Sequence, residues 1–207
     1  MKKKIVLLLT GLLLVSLVLA GCSSKKAAET PKDTQNATTK LVVGATAQPH
    51  AEILEVVKPM LAKENVDLEI KVFTDYAQLN PALVDKQIDA NFFQHIPYLE
   101  DYNKNNNATL TYTVKVHNEP MGVYSNKIKD INKLADGAKV GIPNDATNGG
   151  RALLVLEKAG IIKLTEGIGV NATEENIIDN PKNIKITIMD AAMLPRAMAD
   201  LDICVIN

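Results

Sequence analysis

The chain has 207 residues, of which 46% are hydrophobic and only 4% aromatic, and its formal net charge at pH 7 is −1. A chain this close to neutral has no excess of basic residues for nucleic-acid backbones, so nucleic-acid binding is not expected. Its length is sufficient for one or two domains with a proper hydrophobic core.

The first 21 residues are typical of a secretion signal. Three lysines follow Met1, and residues 5–20 are apolar apart from small residues, a run shorter than the ~20 residues that span a bilayer. The run ends in Leu19-Ala20-Gly21-Cys22, which resembles the bacterial lipobox, where the Cys is diacylated and the signal is removed before it. We therefore predict a lipoprotein signal peptide over 1–21 and lipidation of Cys22; an ordinary signal or membrane anchor is the alternative.

Residues 22–40 are rich in Lys, Ala, Thr and Ser and show no apolar periodicity, which predicts a flexible tether. With Cys22 committed to lipid, Cys204 is the remaining cysteine, so no intramolecular disulfide is expected. Cys204 lies in an apolar run and is interpreted as a small buried residue.

From residue 41 onward, short apolar runs alternate with segments of helical spacing. Strands or extended segments are predicted at 41–45, 68–73, 88–95, 111–117, 121–125, 139–142, 184–189 and 203–206. Helices are predicted at 50–64 with a kink at Pro59, and at 81–86, 98–105, 149–159, 173–179 and 191–199. This alternation indicates an α/β fold with mostly parallel strands and helices on both faces of the sheets.

Aromatic residues are concentrated in one part of the chain. There are eight Phe and Tyr residues and no Trp, and six of the eight fall between residues 73 and 102. If 90–95 is a strand, Asn91, Phe93 and His95 share one face, whereas Phe92 points the other way and anchors the strand in the core. Phe93 and His95 are then available to line a cleft, although a plain core strand with a hydrogen-bonded histidine is an equal alternative.

A second informative stretch, residues 144–151, connects a predicted strand to a predicted helix. Open α/β sheets bind ligands at such strand ends. We expect Asn148 to be the N-cap and Gly149 and Gly150 to leave the first-turn amides uncovered, which favours an anion there. Arg151 is one of only two arginines beside twenty-one lysines, and its planar fork suits a carboxylate. An exposed first-turn arginine without a ligand is the alternative.

Patterns for common catalytic and cofactor chemistry are absent from the sequence. It contains no Walker motif, no dinucleotide-binding glycine pattern and no nucleophile elbow, so we predict a protein that is not an enzyme and that uses no cofactor. His50, His95 and His117 are dispersed and lack the spacing of structural zinc sites, so no metal site is predicted. The alternative function is a surface lipoprotein that acts in adhesion or metal scavenging through these three histidines.

Several long motifs resemble one family. They are Gly44-Ala45-Thr46, Pro49-His50-Ala51-Glu52, Phe73-Thr74-Asp75-Tyr76, Asp89-Ala90-Asn91-Phe92-Phe93-Gln94-His95, Glu119-Pro120-Met121-Gly122, Ile142-Pro143-Asn144-Asp145, Gly149-Gly150-Arg151 and Val205-Ile206-Asn207. These motifs, in this order, are similar to those of the methionine-binding lipoproteins, the substrate-binding subunits of methionine ABC importers (the NlpA lipoprotein family).

This resemblance implies a two-lobed, periplasmic-binding-protein-like α/β fold with mixed sheets flanked by helices. Lobe I would cover 41–117, and lobe II with a return crossover would cover 118–207. Relatives of this kind continue beyond the Val-Ile-Asn motif, so the C-terminal part of lobe I is expected to be missing here, which would expose apolar sheet surface.

The resemblance also implies a binding site and a role. The site would hold the thioether chain between aromatic side chains and the polar end of an amino acid between Asn148, Arg151 and Asn207; its aromatic members would be Tyr76, Phe93, His95 and Tyr98. The ligand would be L-methionine or a close analogue, such as D-methionine, the sulfoxide or a dipeptide. The protein would be lipid-anchored on the extracytoplasmic face of a bacterial cell membrane and would deliver its ligand to an ABC permease driven by a separate ATPase.

Overall fold

The computed structural model describes residues 37–207, and the predicted signal peptide, the lipidation of Cys22 and all but the last four residues of the predicted tether lie outside this range. The strands are β1 (Thr39–Thr46), β2 (Val66–Phe73), β3 (Ala90–Phe92), β4 (Gly122–Tyr124), β5 (Lys139–Pro143), β6 (Lys163–Leu164), β7 (Ile177–Asp179), β8 (Lys185–Met189) and β9 (Ile203–Ile206). The α-helices are α1 (Glu52–Lys63), α2 (Leu79–Val84), α3 (Ile96–Asn106), α4 (Ala146–Lys158) and α5 (Leu194–Ala197). Within 37–207, no helix combines the length and apolar character needed to cross a membrane.

The first sheet has the strand order β2-β1-β3, and all its strands are parallel. Helix α1 connects β1 to β2 and α2 leads from β2 to β3, so the sheet consists of two successive βαβ units. The last four residues of the central strand β1, Val43 to Thr46, are all buried, as expected for a strand covered on both faces.

The second sheet has the order β4-β9-β5-β8, in which β4 alone runs antiparallel to its neighbour β9. Alternate residues of its central strands pack into two separate apolar clusters. Val140, Ile142 and Ile203 pack with the buried face of α4, whereas Cys204 packs with Leu194 of α5. Helices therefore cover both faces of this sheet, as the alternation of strands and helices predicts, and Cys204 is fully buried as expected.

Helix α1 continues through the exposed Pro59 as one helical segment, and the kink expected there stays a prediction. Two of the predicted elements differ in the structure. The predicted strand at 88–95 shortens to β3, because its parallel pairing with β1 runs only from Val43↔Ala90 to Ala45↔Phe92. The predicted extended segment 111–117 forms no strand, and it pairs with no strand in the described part of the chain.

The predicted helix at 173–179 is also wrong for most of its length. Its Thr-x-x-Asn start does form a capping box between Thr173 and Asn176, but only a single 3₁₀ turn, Glu174–Asn176, follows. The chain then continues as β7, which pairs antiparallel with β6 through Leu164↔Ile177. Consecutive β-branched residues at 177 and 178 favour this strand over a longer helix.

Candidate functional site

Aromatic side chains that follow two strands of the first sheet, β2 and β3, meet in one cluster. Tyr76 follows β2, and Phe93, His95 and Tyr98 lie at the entry to α3. The ring of Phe93 meets those of Tyr76 and Tyr98 edge to face at centroid distances of 5.7 and 5.5 Å, and His95 lies 6.4 Å from Tyr98. Edge-to-face packing of this kind is the favoured geometry for such rings. The four aromatic residues of the predicted site therefore form one surface.

The two neighbouring phenylalanines have different surroundings from those predicted. Phe93 is the buried one, with 7% of its surface exposed, whereas Phe92 is only partly buried. Phe92 packs edge to face against His50 at 4.6 Å and His117 at 5.6 Å. The prediction that Phe92 anchors the strand in the core is wrong, because β3 ends at Phe92 and the next residue, Phe93, is the buried one.

A network of side-chain amides holds the segment that bears Phe93 and His95. The buried Asn80 of α2 exchanges two hydrogen bonds with Gln94, at 2.9 and 2.8 Å, and accepts a third from Asn91 at 2.9 Å. Buried amides need such partners, so the network fixes the backbone on both sides of the two phenylalanines. Sequence reasoning missed it, although Asn91 and Gln94 flanking an aromatic pair are a recognisable signal.

The start of α4 is capped by Asp145 and not by Asn148 as predicted. One carboxylate oxygen of Asp145 accepts a hydrogen bond from the Asn148 backbone N–H at 2.8 Å, and the other accepts from the Asn148 side-chain amide at 3.0 Å. Asn148 Oδ1 in turn accepts a 2.8 Å hydrogen bond from Nη1 of Arg151. An ionised carboxylate caps a helix start at least as well as an amide, and the helix dipole favours it. The predicted pair Asn148 and Arg151 is thus positioned by a residue that the sequence reading missed.

Gly150 has a different role from the one predicted. A Cβ at this position would lie 1.9 Å from the carbonyl oxygen of Val170, so the absence of a side chain lets the turn Gly169–Asn171 pack directly on α4. The glycine is buried and does not expose first-turn amides. At Gly149 a Cβ would meet only the Pro143 carbonyl, at 3.1 Å.

The electrostatics connect residues on the two sheets. Burial lowers the pKa of His95, and the positive charge of Arg151 lowers it further, whereas Asp145 opposes this shift. Burial raises the pKa of Tyr98, and the negative charges of Asp145 and Asp75 raise it as well. His95 is therefore favoured as a neutral imidazole beside a guanidinium.

Asn207, directly after β9 of the second sheet, contacts the aromatic cluster of the first. Its side-chain amide donates a 3.4 Å hydrogen bond to the hydroxyl of Tyr76. Two buried polar atoms in this region, His95 Nε2 and Asn207 Oδ1, have no hydrogen-bond partner within the described residues. Since buried polar atoms are nearly always paired, these two are candidates to contact a ligand.

A cleft of about 170 Å³ lies between residues of the two sheets. Its lining consists of Asp75, Tyr76, Ala77, Tyr98, Asn144, Asp145, Asp190 and Ala191. Four polar residues of this lining were not among the predicted site residues: Asp75, Asn144, Asp145 and Asp190 come just after the carboxyl ends of β2, β5 and β8. The rule that α/β sheets bind ligands at these ends could have identified them.

The three histidines named for the alternative function do not come together in one cluster. His50 and His117 come together, with ring centroids 5.6 Å apart, and the third member of their cluster is Glu119. His95 belongs instead to the aromatic cluster described above. Burial lowers the pKa of His50, an effect that Glu119 opposes.

Comparisons with known proteins agree with this architecture. The sequence profile described as NlpA lipoprotein matches residues 41–207. The chain is 44% identical over 203 residues to outer membrane lipoprotein 2 of Mannheimia haemolytica, covering 96% of this chain and 73% of that protein. It is 42% identical over 193 residues to the D-methionine-binding lipoprotein MetQ of Salmonella typhimurium, covering 93% and 68% respectively.

Solved structures of similar proteins have the same fold. A nutrient-binding protein from Burkholderia cenocepacia, whose structure contains bound methionine, superposes with a TM-score of 0.76 at 42% identity. The superposition covers 81% of this chain and 71% of that one. An ABC transporter periplasmic substrate-binding protein from Coxiella burnetii gives a TM-score of 0.74 at 40% identity, covering 81% and 71%. The predicted fold class, α/β with mixed sheets flanked by helices, is confirmed, and the chain belongs to the NlpA lipoprotein family.

Proposed function

We propose that this protein is an extracytoplasmic solute-binding protein, anchored through lipid on Cys22, that captures methionine and delivers it to an ABC import permease. The observation that carries the proposal is the pair of buried, unpartnered atoms His95 Nε2 and Asn207 Oδ1 beside the aromatic cluster. A ligand with both a polar end and an apolar chain would pair with these atoms and cover the rings. The names of the relatives support methionine as that ligand.

The charged groups of an amino acid match the polar residues. Arg151 is held at Nη1 by Asn148, and the hydrogen bonds of the described residues leave its Nη2 and Nε donors for another acceptor. We assign the ligand carboxylate to this fork, since guanidinium and carboxylate pair in bidentate geometry. The unpaired Oδ1 of Asn207 is assigned to the ligand ammonium group, and Asn148 completes the polar end.

The thioether chain is assigned to the aromatic surface of Tyr76, Phe93, His95 and Tyr98. A sulfur atom at the edge of an aromatic ring is a favourable contact of roughly 0.3–1.5 kcal/mol. The assigned residues come from 41–117 and from 118–207, the two proposed lobes, so the ligand would contact both; of these residues, Tyr76 and Tyr98 line the cleft. Exclusion of water on closure would strengthen the pairing of Arg151 with the carboxylate.

Delivery would require a membrane permease and a separate ATPase, because the proposed role is binding without catalysis.

L-methionine and D-methionine differ in the direction in which the side chain leaves the Cα atom, so the positions of Arg151 and Phe93 would decide which of the two binds more tightly. A missing or added methylene changes affinity by only about 1–3 kcal/mol in an apolar pocket, so close analogues are expected to bind as well.

Calorimetric titration of the full-length chain in detergent tests the proposal. We expect a saturable site with one equivalent of L-methionine or D-methionine, and a matching rise in the thermal unfolding midpoint. Norleucine, which replaces the sulfur by a methylene, should bind more weakly than methionine because it lacks the sulfur–ring contact. The proposal is overturned if neither heat nor thermal stabilisation is seen with methionine, its sulfoxide or methionine-containing dipeptides.

A further inference from the structure

His50, His117 and Glu119 form a compact cluster that the proposed methionine site does not use. His50 lies in the irregular turn Ala47–Ala51 after β1, and the other two residues lie between α3 and β4. Glu119 Oε1 is 2.8 Å from His117 Nε2 and 3.7 Å from His50 Nε2. Two imidazoles thus face the same carboxylate oxygen.

The orientation of His50 is fixed by two contacts of its ring, one with Thr46 and one with Phe92. The residue is buried, with 5% of its surface exposed, and its Nδ1 forms a 2.6 Å hydrogen bond with the hydroxyl of Thr46. Phe92 packs edge to face against the ring at 4.6 Å. Metal-binding histidines characteristically use one ring nitrogen for such a hydrogen bond and the other for the ion. With Thr46 on Nδ1, the free nitrogen Nε2 faces His117 and Glu119.

We infer that His50, His117 and Glu119 form a binding site for a divalent transition-metal cation of the zinc type. Their three ligand atoms all lie within 4.8 Å of one another. Around a tetrahedral zinc ion with bonds of 2.0–2.1 Å, ligand atoms are about 3.3 Å apart. The observed separations of 2.8 and 3.7 Å between Glu119 Oε1 and the two imidazole nitrogens lie on either side of this value.

The donor set selects the class of cation. Imidazole nitrogens favour zinc, copper, nickel and cobalt, whereas magnesium and calcium prefer oxygen ligands only. Two histidines and one glutamate supply three protein ligands and leave a fourth position for water or another donor. Because His117 and Glu119 are partly exposed, an ion can reach the site from solvent.

An ordinary histidine–glutamate hydrogen bond is the competing explanation. Such a pair needs only one imidazole, and His117 alone already satisfies Glu119 at 2.8 Å. The second imidazole remains at 3.7 Å, outside hydrogen-bonding distance, yet it is held toward the same oxygen by Thr46. A cation between the three side chains accounts for this convergence.

Zinc titration of the full-length chain without any affinity tag tests the inference. The protein is freed of metal with a chelator and then titrated with Zn²⁺ against a chromogenic zinc indicator, in the absence of methionine. We expect one equivalent of zinc to bind, and we expect His117→Asn and Glu119→Gln each to weaken binding by at least about tenfold. These two variants are preferred to a change at the buried His50, which could impair folding.

Matched controls remove the same chemical groups elsewhere. Glu55→Gln removes an exposed carboxylate of α1, and His95→Asn removes an imidazole from the aromatic cluster. Both should bind zinc as the unaltered chain does. The inference is overturned if the unaltered chain takes no zinc from the indicator, or if His117→Asn and Glu119→Gln bind zinc as tightly as the controls. Since methionine is absent, either result leaves the methionine proposal standing.

Discussion

Arg151 and Asn148 form a 2.8 Å hydrogen bond across one turn of α4, and Asp145 holds the amide of Asn148 from the other side. The guanidinium is therefore oriented by a chain of three side chains that begins at the helix cap. Because the protein's own side chains hold the guanidinium in this orientation, part of the entropy cost of binding a carboxylate is met in advance.

Arg151→Ala should greatly weaken methionine binding. Loss of one partner of a hydrogen-bonded charge pair within an interface costs about 2–5 kcal/mol, which corresponds to roughly 30-fold or more in the dissociation constant. Calorimetric titration measures the loss. Arg196→Ala is the matched control, since Arg196 is exposed on α5 and, among the residues that the structure describes, its Nη1 donates to the sulfur of Met193 at 4.0 Å. Equal effects of the two substitutions would refute the assignment of the carboxylate to Arg151.

Asn207→Ala should also weaken binding, by removing the acceptor assigned to the ligand ammonium group. A hydrogen bond to a charged group contributes about 1.5–3 kcal/mol, so the dissociation constant should rise by roughly 10- to 100-fold. Asn132→Ala, a change at an exposed position, should leave the affinity unaltered. If Asn207→Ala binds methionine as tightly as this control, Asn207 has no part in recognition.

Gly150→Ala and Gly149→Ala should differ in their effect on stability although the residues are adjacent. The new Cβ at 150 would lie 1.9 Å from the backbone oxygen of Val170, so the turn must move away from α4. Overpacking of this kind costs typically 1–3 kcal/mol. At 149 the contact is 3.1 Å, and alanine gains up to about 1 kcal/mol in helix propensity.

Urea unfolding of the two glycine variants measures this difference. Gly150→Ala should shift the midpoint to lower urea concentration with an unchanged slope. A midpoint for Gly150→Ala equal to or above that of Gly149→Ala would show that the packing of the turn Gly169–Asn171 on α4 is not close.

Stability should decrease as the pH falls below 6.5, in part because of His95. Burial and the charge of Arg151 lower the pKa of His95 in the folded state, whereas Asp145 opposes the shift. The unfolded chain then binds a proton more readily, at about pH 6.5. The contribution of His95 is therefore fully present above that pH and is lost as the pH falls toward the lower folded pKa.

Denaturant unfolding between pH 7.5 and 5 checks this expectation. The free energy of unfolding of the unaltered chain should fall with decreasing pH, and the fall should be smaller in His95→Asn. His50, whose pKa is lowered in the same direction, contributes to both proteins and cancels in the comparison. An identical pH dependence of the two proteins would exclude a lowered pKa for His95.

Much of the fold could be predicted because apolar periodicity is local. The strands at β1, β2, β5, β8 and β9 were identified to within about two residues, since each is a short apolar run between turn signals. Predictions were wrong where pairing decides the structure. The segment 88–95 is predicted as one strand, yet its parallel ladder with β1 includes only Ala90–Phe92. The sequence predicts a helix at residues 177–179, but these residues form β7 because residues 163–164 pair with them.

The structure brings the predicted aromatic residues Tyr76, Phe93, His95 and Tyr98 together, and their part in ligand binding stays a prediction, whereas the arrangement of the polar residues could not be derived from the sequence. The α/β fold and membership of the NlpA lipoprotein family follow from the sequence alone, because long motifs and strand–helix alternation are properties of consecutive residues. Three relationships appear only in the folded chain: Asp145 caps α4, Gly150 lets the turn Gly169–Asn171 pack directly on α4, and Glu119 joins two of the three histidines. Two of these relationships join residues that are far apart in the sequence, and the third depends on which of two side chains wins one hydrogen bond. Packing of the folded chain decides both, so the order of neighbouring residues does not reveal them.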